Sequence, residues 1–76
     1  MSIEEAILLD TLRCRLNFLR TKNDYTKKDV ADKLNLPLDQ YEMYEAGESL
    51  PSILEMIDIA DLYLITLDYL VGKTEN

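Results

Sequence analysis

The sequence predicts an all-α fold, a compact bundle of five helices. Apolar residues recur every three or four positions along most of the 76-residue chain, which is the spacing of helices with one buried face. Serine or threonine stands before several of these segments, and glycine follows two of them, as expected at helix starts and ends. No alternating apolar and polar pattern of any length predicts a strand.

The first helix is predicted over about residues 3–21. Ser2 and Glu5 have the spacing of a capping box, in which each side chain bonds the backbone N–H of the other residue. Leu12, Leu16 and Leu19 then continue an apolar stripe at helical spacing. The polar sequence KND, residues 22–24, is predicted to form the turn that ends this helix.

The second and third helices are separated by a proline. Thr26 is a suitable N-cap for the second helix. Pro37 disfavours a helical Leu36, which ends the second helix, and it suits the first turn of the third. The third helix is predicted to end at about Ala46, followed by Gly47 as a left-handed cap. The residues expected to face inward from the second helix are Val30, Ala31 and Leu34.

The fourth helix is predicted to open at Pro51 and Ser52, and a short fifth helix at Thr66. Gly72 is expected to end the fifth helix. The apolar residues of the fourth helix that are spaced for burial are Ile53, Met56, Ile57, Ala60 and Tyr63.

Composition excludes several classes of protein. The chain has one cysteine, Cys14, and no histidine, so an internal disulfide, a soft-metal site and histidine-dependent catalysis are not expected. Paired carboxylates occur without a glycine-rich loop, so we predict neither an enzyme nor a cofactor or small-molecule substrate. No apolar run is long enough to span a bilayer, and the free thiol suits a reducing compartment, so a cytoplasmic protein is expected.

The net charge of −7 is unevenly distributed along the chain. Residues 1–12 carry three acids and no base, which gives −3. Residues 13–33 carry seven bases and three acids, which gives +4, whereas residues 34–76 carry nine acids and one base, which gives −8. Nucleic-acid affinity comes largely from Lys and Arg that displace counterions from phosphates, so only the middle segment favours that partner.

Three segments, RLNFLRTKNDYTKKDVADKLNL, YEMYEAGESLPS and IADLYLITLDYLVG, occur in the order found in a known family. Together, over about residues 12–72, they resemble the Cro/repressor-type (XRE-like) helix-turn-helix domain of bacterial and phage transcription regulators. The resemblance implies a lambda-repressor-like five-helix domain over residues 1–76, with a helical extension over 1–11 and the helix-turn-helix over about 26–46. It also implies a structural ion pair between Arg20 and Glu45.

The resemblance also implies that the third helix enters a DNA groove. Lys27 stands where the family often has a glutamine that braces the phosphate backbone, and the reading positions carry no base. The DNA-binding candidates are Lys27, Lys28, Lys33, Leu38, Asp39, Gln40, Glu42 and Met43.

An acidic reading helix and a surplus of apolar residues favour a protein partner. Leu38, Met43, Leu54 and Leu64 are expected to be partly exposed in such a fold, unless a small rotation of the helices buries one or two of them. The protein-partner candidates are Leu38, Asp39, Glu42, Met43, Leu54 and Leu64. The apolar residues of the extension, which either lengthen the core or form a dimer or partner seam, are Ile3, Ile7, Leu8 and Leu9.

The sequence therefore predicts a regulator of a phage-type or bacterial genetic switch that acts antirepressor-like, by contacting a cognate repressor protein. Acidic groups that face a basic partner speed association and compete with DNA. The alternative is direct, sequence-specific operator binding as a Cro-like protein or repressor dimer on a palindromic site. In that alternative, the lysines of the second helix and the arginines of the first contact phosphates.

Overall fold

The computed structural model describes residues 2–73 and contains five helices and no strand within that range. In chain order they are α1 (Ile3–Lys22), α2 (Lys27–Lys33), α3 (Leu38–Glu45), α4 (Ile53–Tyr63) and α5 (Leu67–Leu70). The predicted all-α, five-helix architecture is confirmed. Residue 1 and residues 74–76 of the predicted domain lie outside the described residues.

The core is built around α1, the longest helix. Leu12 and Leu16 of α1 are 1% and 0% exposed, and every other helix contributes to the same cluster. Burying a side chain of this size contributes about 1.5–3 kcal/mol, so a few such residues account for most of what a small domain can gain. The largest fully buried side chains are Tyr41, Leu12, Leu16, Ile59, Leu70 and Val30.

Side-chain caps fix where four of the helices begin. Thr26 and Ser52 each belong to a complete capping box, with Asp29 and Glu55 as the respective third helical residues. Pro37 was expected inside the first turn of α3, but it occupies the N-cap position, with φ −58° and ψ 142°. A proline's fixed φ suits either position, so the sequence does not distinguish them.

The inward face of α4 differs from the prediction. Ile53 and Ile57 are 60% and 41% exposed, whereas Met56, Ile59 and Ala60 are buried. The helix is apolar around most of its circumference, so two overlapping stripes satisfy the helical period. Packing against the rest of the molecule, rather than periodicity, selects the one that is buried.

Within residues 2–73, five residues at helix ends have left-handed backbone, namely Asp24, Asn35, Gly47, Leu64 and Gly72. Asn35, between α2 and α3, has φ 57°, and Gly47 has φ 75°, conformations that these residue types adopt readily. A side chain at Gly47 would also approach Arg13, because an added Cβ would lie 3.1 Å from its Cδ. Leu64, at the end of α4, has φ 55° although a leucine is disfavoured there.

Candidate nucleic-acid interface

The pair α2 and α3 forms the helix-turn-helix, held by backbone hydrogen bonds across the turn. The Leu36 N–H donates to the Ala31 carbonyl at 2.9 Å, and the Asn35 N–H donates to the Asp32 carbonyl at 3.2 Å. Ala31 is 1% exposed, and its small side chain permits the close approach of the two helices. The turn therefore fixes the direction in which α3 leaves α2.

A buried ion pair anchors the end of α3 to α1. The Arg20 Nη2 lies 2.7 Å from the Glu45 Oε1, and Nε lies 2.9 Å from Oε2. Asn17 donates to the same carboxylate at 3.0 Å, and Arg20 also donates to the Tyr25 carbonyl at 3.1 Å. The pair implied by the family resemblance is thus present, and it links α1, α3 and the segment before α2.

The environment of Glu45 favours its charged form. Burial acts to raise the pKa of this carboxyl group, but the hydrogen bonds from Arg20 and Asn17 outweigh burial and lower it overall. Only 7% of the residue is exposed, so loss of either partner would leave a charge without compensation inside the protein. This acid of α3 is structural and does not face a ligand.

The outer face of α3, which we define as Leu38, Asp39, Glu42 and Met43, is directed to solvent. Leu38 is 40% exposed and Met43 is 44% exposed, and both acids are exposed as well. Within residues 2–73, neither carboxylate of this face forms an ion pair. The outer face therefore presents two negative charges and two apolar side chains side by side.

Gln40, the best neutral base-reading side chain of α3, is engaged inside the protein. Its Nε2 donates to the Tyr44 hydroxyl and, more weakly, to the Glu55 Oε2 at 3.4 Å. The Tyr44 hydroxyl in turn donates to the Glu55 Oε1 at 2.8 Å. Bidentate recognition of adenine needs both the amide oxygen and the amide nitrogen, so Gln40 must leave this network to read a base.

Glu55 connects that network to the start of α4. The Ser52 N–H donates to its Oε1 at 2.8 Å, and this backbone hydrogen bond is the largest of the effects that lower the pKa of Glu55. Tyr44 and Glu55 were not among the predicted site residues. The only sequence signal that pointed to Glu55 was its spacing from Ser52, which is that of a capping box.

The three candidate lysines lie in different settings. Lys27 and Lys28 lie in the first turn of α2, but the Lys28 Nζ is 3.2 Å from the Asp32 Oδ2. Lys33, at the other end of α2, places its ammonium group 5.1 Å from the centre of the Tyr25 ring. Within residues 2–73, Lys27 forms neither an ion pair nor a side-chain hydrogen bond, so it is the lysine most available to a phosphate.

The arginines of α1, expected at phosphates in the DNA-binding alternative, each have a partner within the protein. Arg13 pairs with Asp10 one turn earlier. The Arg15 Nη1 donates to the Tyr69 carbonyl at 2.7 Å, and its guanidinium lies 4.2 Å from the Tyr69 ring centre. Arg20 is held by Glu45. Sequence position alone did not show that these cations serve contacts within α1 and with α3 and α5.

All four apolar candidates are exposed, so no rotation of the helices buries any of them. Leu54 is 70% exposed and belongs to the first turn of α4, which is hydrogen-bonded to α3 through Glu55. Leu64 is 92% exposed at the opposite end of α4, about 15 Å further along the helix axis. The predicted partner residues therefore do not form one continuous surface.

Residues 2–73 contain neither a metal-binding cluster nor a membrane-spanning helix. No group of three or more potential metal-ligating side chains is suitably placed to hold an ion. None of the described helices combines the length and the hydropathy required to cross a bilayer.

Comparisons with known proteins agree with this geometry. The model of the family described as helix-turn-helix matches residues 16–70, which include all of α2, α3 and α4. The HTH-type transcriptional regulator ImmR of Bacillus subtilis is 36% identical over 61 residues, covering 80% of this chain and 48% of that protein. No solved structure shows a significant match.

Two other relatives show the same relation. The cryptic phage CTXphi transcriptional repressor RstR of Vibrio cholerae is 36% identical over 59 residues, covering 78% of this chain and 53% of that protein. The HTH-type transcriptional regulator AnsR of Bacillus subtilis is 36% identical over 62 residues, covering 82% of this chain and 53% of that protein. The chain thus spans about half the length of these curated relatives.

Proposed function

The chain belongs to the helix-turn-helix family, and we propose that it is a transcription regulator that binds operator DNA through the outer face of α3. The observation that carries this proposal is the α2–turn–α3 geometry, in which one side of α3 is anchored and the other faces solvent. The relatives named above, two transcriptional regulators and a phage repressor, support direct DNA binding over the antirepressor interpretation.

An acidic outer face restricts how such a helix can read DNA. Each carboxylate can accept a hydrogen bond from the N4 amino group of cytosine, and an apolar side chain can contact the methyl group of thymine. Asp39 and Glu42 therefore favour cytosine, whereas Leu38 and Met43 favour thymine. The outer face contains no arginine, the side chain that most often recognises guanine.

Few cations are placed to hold the phosphates. Lys27 and Lys28 lie at the start of α2, the position from which a helix-turn-helix contacts the DNA backbone, and Asp32 competes for Lys28. With about two phosphate contacts per domain, log K should fall with log salt with a slope of roughly −2. We therefore expect moderate affinity with a shallow salt dependence, and a dimer on a two-fold site would double the slope.

The test is a fluorescence anisotropy titration of labelled duplexes that tile the DNA around the protein's own gene. It is run at low and at physiological salt, with unrelated duplex as competitor. Saturable binding to one duplex, resistant to the competitor, is the expected result. Equal binding to every duplex at both salt concentrations would overturn the proposal.

Replacing Lys27 by Ala sharpens this test. The variant should weaken binding to specific and unrelated duplexes alike and reduce the salt slope by about 1, as expected for a lost phosphate contact. Lys73→Ala, the same charge change beyond α5, is the matched control and should leave affinity nearly unchanged. Equal losses in the two variants would mean that only overall charge matters.

A second candidate function is the antirepressor-like contact with a cognate repressor, and one observation favours it. The outer face of α3 combines unpaired acids with exposed Leu38 and Met43, the surface expected to fit a basic, partly apolar protein. Adding a repressor encoded beside this gene to the titration distinguishes the two functions. An antirepressor binds no duplex itself and dissociates the repressor from its DNA.

A further inference from the structure

The side of α1 that faces away from the core carries an exposed apolar stripe. We call Ile3, Ile7, Cys14 and Phe18 the α1 stripe. The three large members are 79%, 61% and 52% exposed, and Cys14 is exposed as well. At 3.6 residues per turn the four positions share an arc of about 60° and extend about 22 Å along the helix, opposite the buried leucines.

The first turns of α1 contact little of the rest of the protein. Residues 2–7 are all exposed, Leu8 is half-buried and Leu9 is the first buried residue. Their visible support is the cap, in which the Glu5 N–H donates to the Ser2 hydroxyl at 3.1 Å. Helical turns without tertiary packing are marginal in water, so a partner that covers the stripe would stabilise them.

We propose that the α1 stripe is the surface through which two copies of this chain pair, with their α1 helices antiparallel. The stripe is symmetric about the midpoint between Asp10 and Thr11. Ile3 and Phe18 are equidistant from that point, and so are Ile7 and Cys14. A two-fold axis there places each member of the stripe opposite a member from the other copy, as an isologous interface requires.

The charge distribution favours α1 over the three acidic helices α3, α4 and α5 as the place where two copies can meet, and α2 carries the lysines proposed to contact phosphates. Within α1, four bases and three acids give a net charge of +1. Since the net charge of the whole chain is −7, the residues outside α1 carry a net charge of −8. Contact through α3, α4 or α5 would bring two acidic surfaces together, whereas contact through α1 does not.

The polar residues beside the stripe favour the antiparallel arrangement. Glu4 lies in the first turn of α1 and Lys22 in the last, so antiparallel helices bring the acidic end of each toward the basic end of the other. Near the proposed axis, Asp10 and Arg13 already pair within one chain, so the two copies bring together pairs that are each neutral. Parallel helices would instead place acidic end beside acidic end.

The stripe is short compared with a standard protein interface, so the dimer should be weak and dependent on concentration. Analytical ultracentrifugation of the purified chain tests this directly, in a dilution series without DNA. The expected result is a mass that rises from 8.8 kDa toward twice that value as concentration increases. A single monomeric species at every concentration would overturn the proposal.

A matched pair of substitutions identifies the face. Ile7→Glu should abolish the rise in mass, because it places an unpaired charge in the interface. Ile53→Glu is the control, since Ile53 is 60% exposed on α4 and Ile7 is 61% exposed on α1. A dimer that survives Ile7→Glu but not Ile53→Glu would contradict the assignment to α1. Circular dichroism checks that both variants keep their helices.

A cross-linking experiment tests the register. Adding Ile7→Cys places a thiol opposite Cys14 of the other copy, so diamide should produce a covalent dimer in high yield. The unmodified chain should not form a covalent dimer, because the two copies of Cys14 would lie about 10 Å apart along the helix axis. A disulfide requires α-carbons within about 7 Å of each other. Ile53→Cys is the control, and a covalent dimer of equal yield from it would overturn the register.

This inference goes beyond the proposed function and is independent of it. Mass and cross-linking are measured without DNA, so a chain that fails to bind DNA can still pair through α1. Conversely, a chain that binds its operator while remaining monomeric throughout the dilution series would contradict the α1 interface alone.

Discussion

The two sides of α3 carry the same kind of side chain in opposite environments. Glu45, on the inner side, is 7% exposed and accepts hydrogen bonds from Arg20 and Asn17. Glu42, on the outer side, is exposed and forms no ion pair within residues 2–73. Glu42 and Glu45 are three residues apart on the same helix, yet their carboxylates have different roles.

This difference separates what the fold requires from what a ligand requires. The inner side is constrained several times over, by the ion pair, by buried Tyr41 and Tyr44 and by the bonds of the turn. The outer side forms no ion pair within the described residues, and the hydrogen bond of Asp39 is local, from the neighbouring Gln40 N–H, so its acids can be exchanged without loss of the fold. Under the proposed function, the composition of the outer face therefore reports on the ligand.

The largest expected effect comes from replacing each glutamate by alanine. Glu45→Ala should lower the free energy of unfolding by about 3 kcal/mol, because it leaves the Arg20 guanidinium largely buried without its partner. Glu42→Ala should change it by less than about 0.5 kcal/mol. Urea denaturation of both variants measures the difference. Similar losses in the two variants would contradict a structural role for Glu45 that Glu42 lacks.

Acid should weaken the ion pair on the inner side of α3. The pKa of Glu45 is lowered in the folded protein from an ordinary value of 4.5, so below that pH the unfolded chain takes up the proton first. The stability contributed by Glu45 is thus complete above about pH 4.5 and is lost as pH falls through the lower folded pKa. The stability advantage of the natural chain over Glu45→Gln should shrink as the pH falls below about 4.5, and a constant difference would show that the ion pair is not responsible.

A smaller effect of opposite sign is expected at Leu64, another outward residue. A leucine with φ 55° costs about 1–2 kcal/mol relative to a residue that tolerates left-handed backbone. Leu64→Asn should therefore stabilise the protein by about 1 kcal/mol, since the side chain is 92% exposed and little burial is lost.

Leu54→Asn provides the control for that measurement. Leu54 is exposed but lies within α4, where asparagine is the poorer helix former, so this variant should be slightly destabilised. Thermal unfolding of the two variants should give midpoints that move in opposite directions. A fall in both would mean that Leu64 makes contacts that its exposure does not reveal.

Local signals in the sequence were sufficient for the helices and for most of their ends. Thr26 and Ser52 cap helices because a side-chain oxygen three residues before a free N–H satisfies that donor in almost any context. The Arg20–Glu45 pair could be predicted only through the family resemblance, because the two residues are too far apart in sequence for a local signal to connect them.

Contacts between helices could not be predicted in the same way. Ile53 and Ile57 fit the helical period as well as Met56 and Ile59, and only packing determines which pair is buried. From the sequence alone, the Gln40 amide would be expected to be free. In the structure it is hydrogen-bonded to Tyr44, which is in turn hydrogen-bonded to Glu55, and this network depends on how α4 packs against α3.

The outer face of α3 is tested most directly by titrating operator duplex with the natural chain and with Glu42→Gln, at low and at physiological salt. We expect the natural chain to bind one duplex specifically. We also expect Glu42→Gln to bind both specific and unrelated duplexes more tightly, most of all at low salt, because one carboxylate no longer repels the phosphates. If neither protein binds any duplex, and the natural chain instead displaces a neighbouring repressor from its DNA, the outer face serves a protein partner and direct operator binding is wrong.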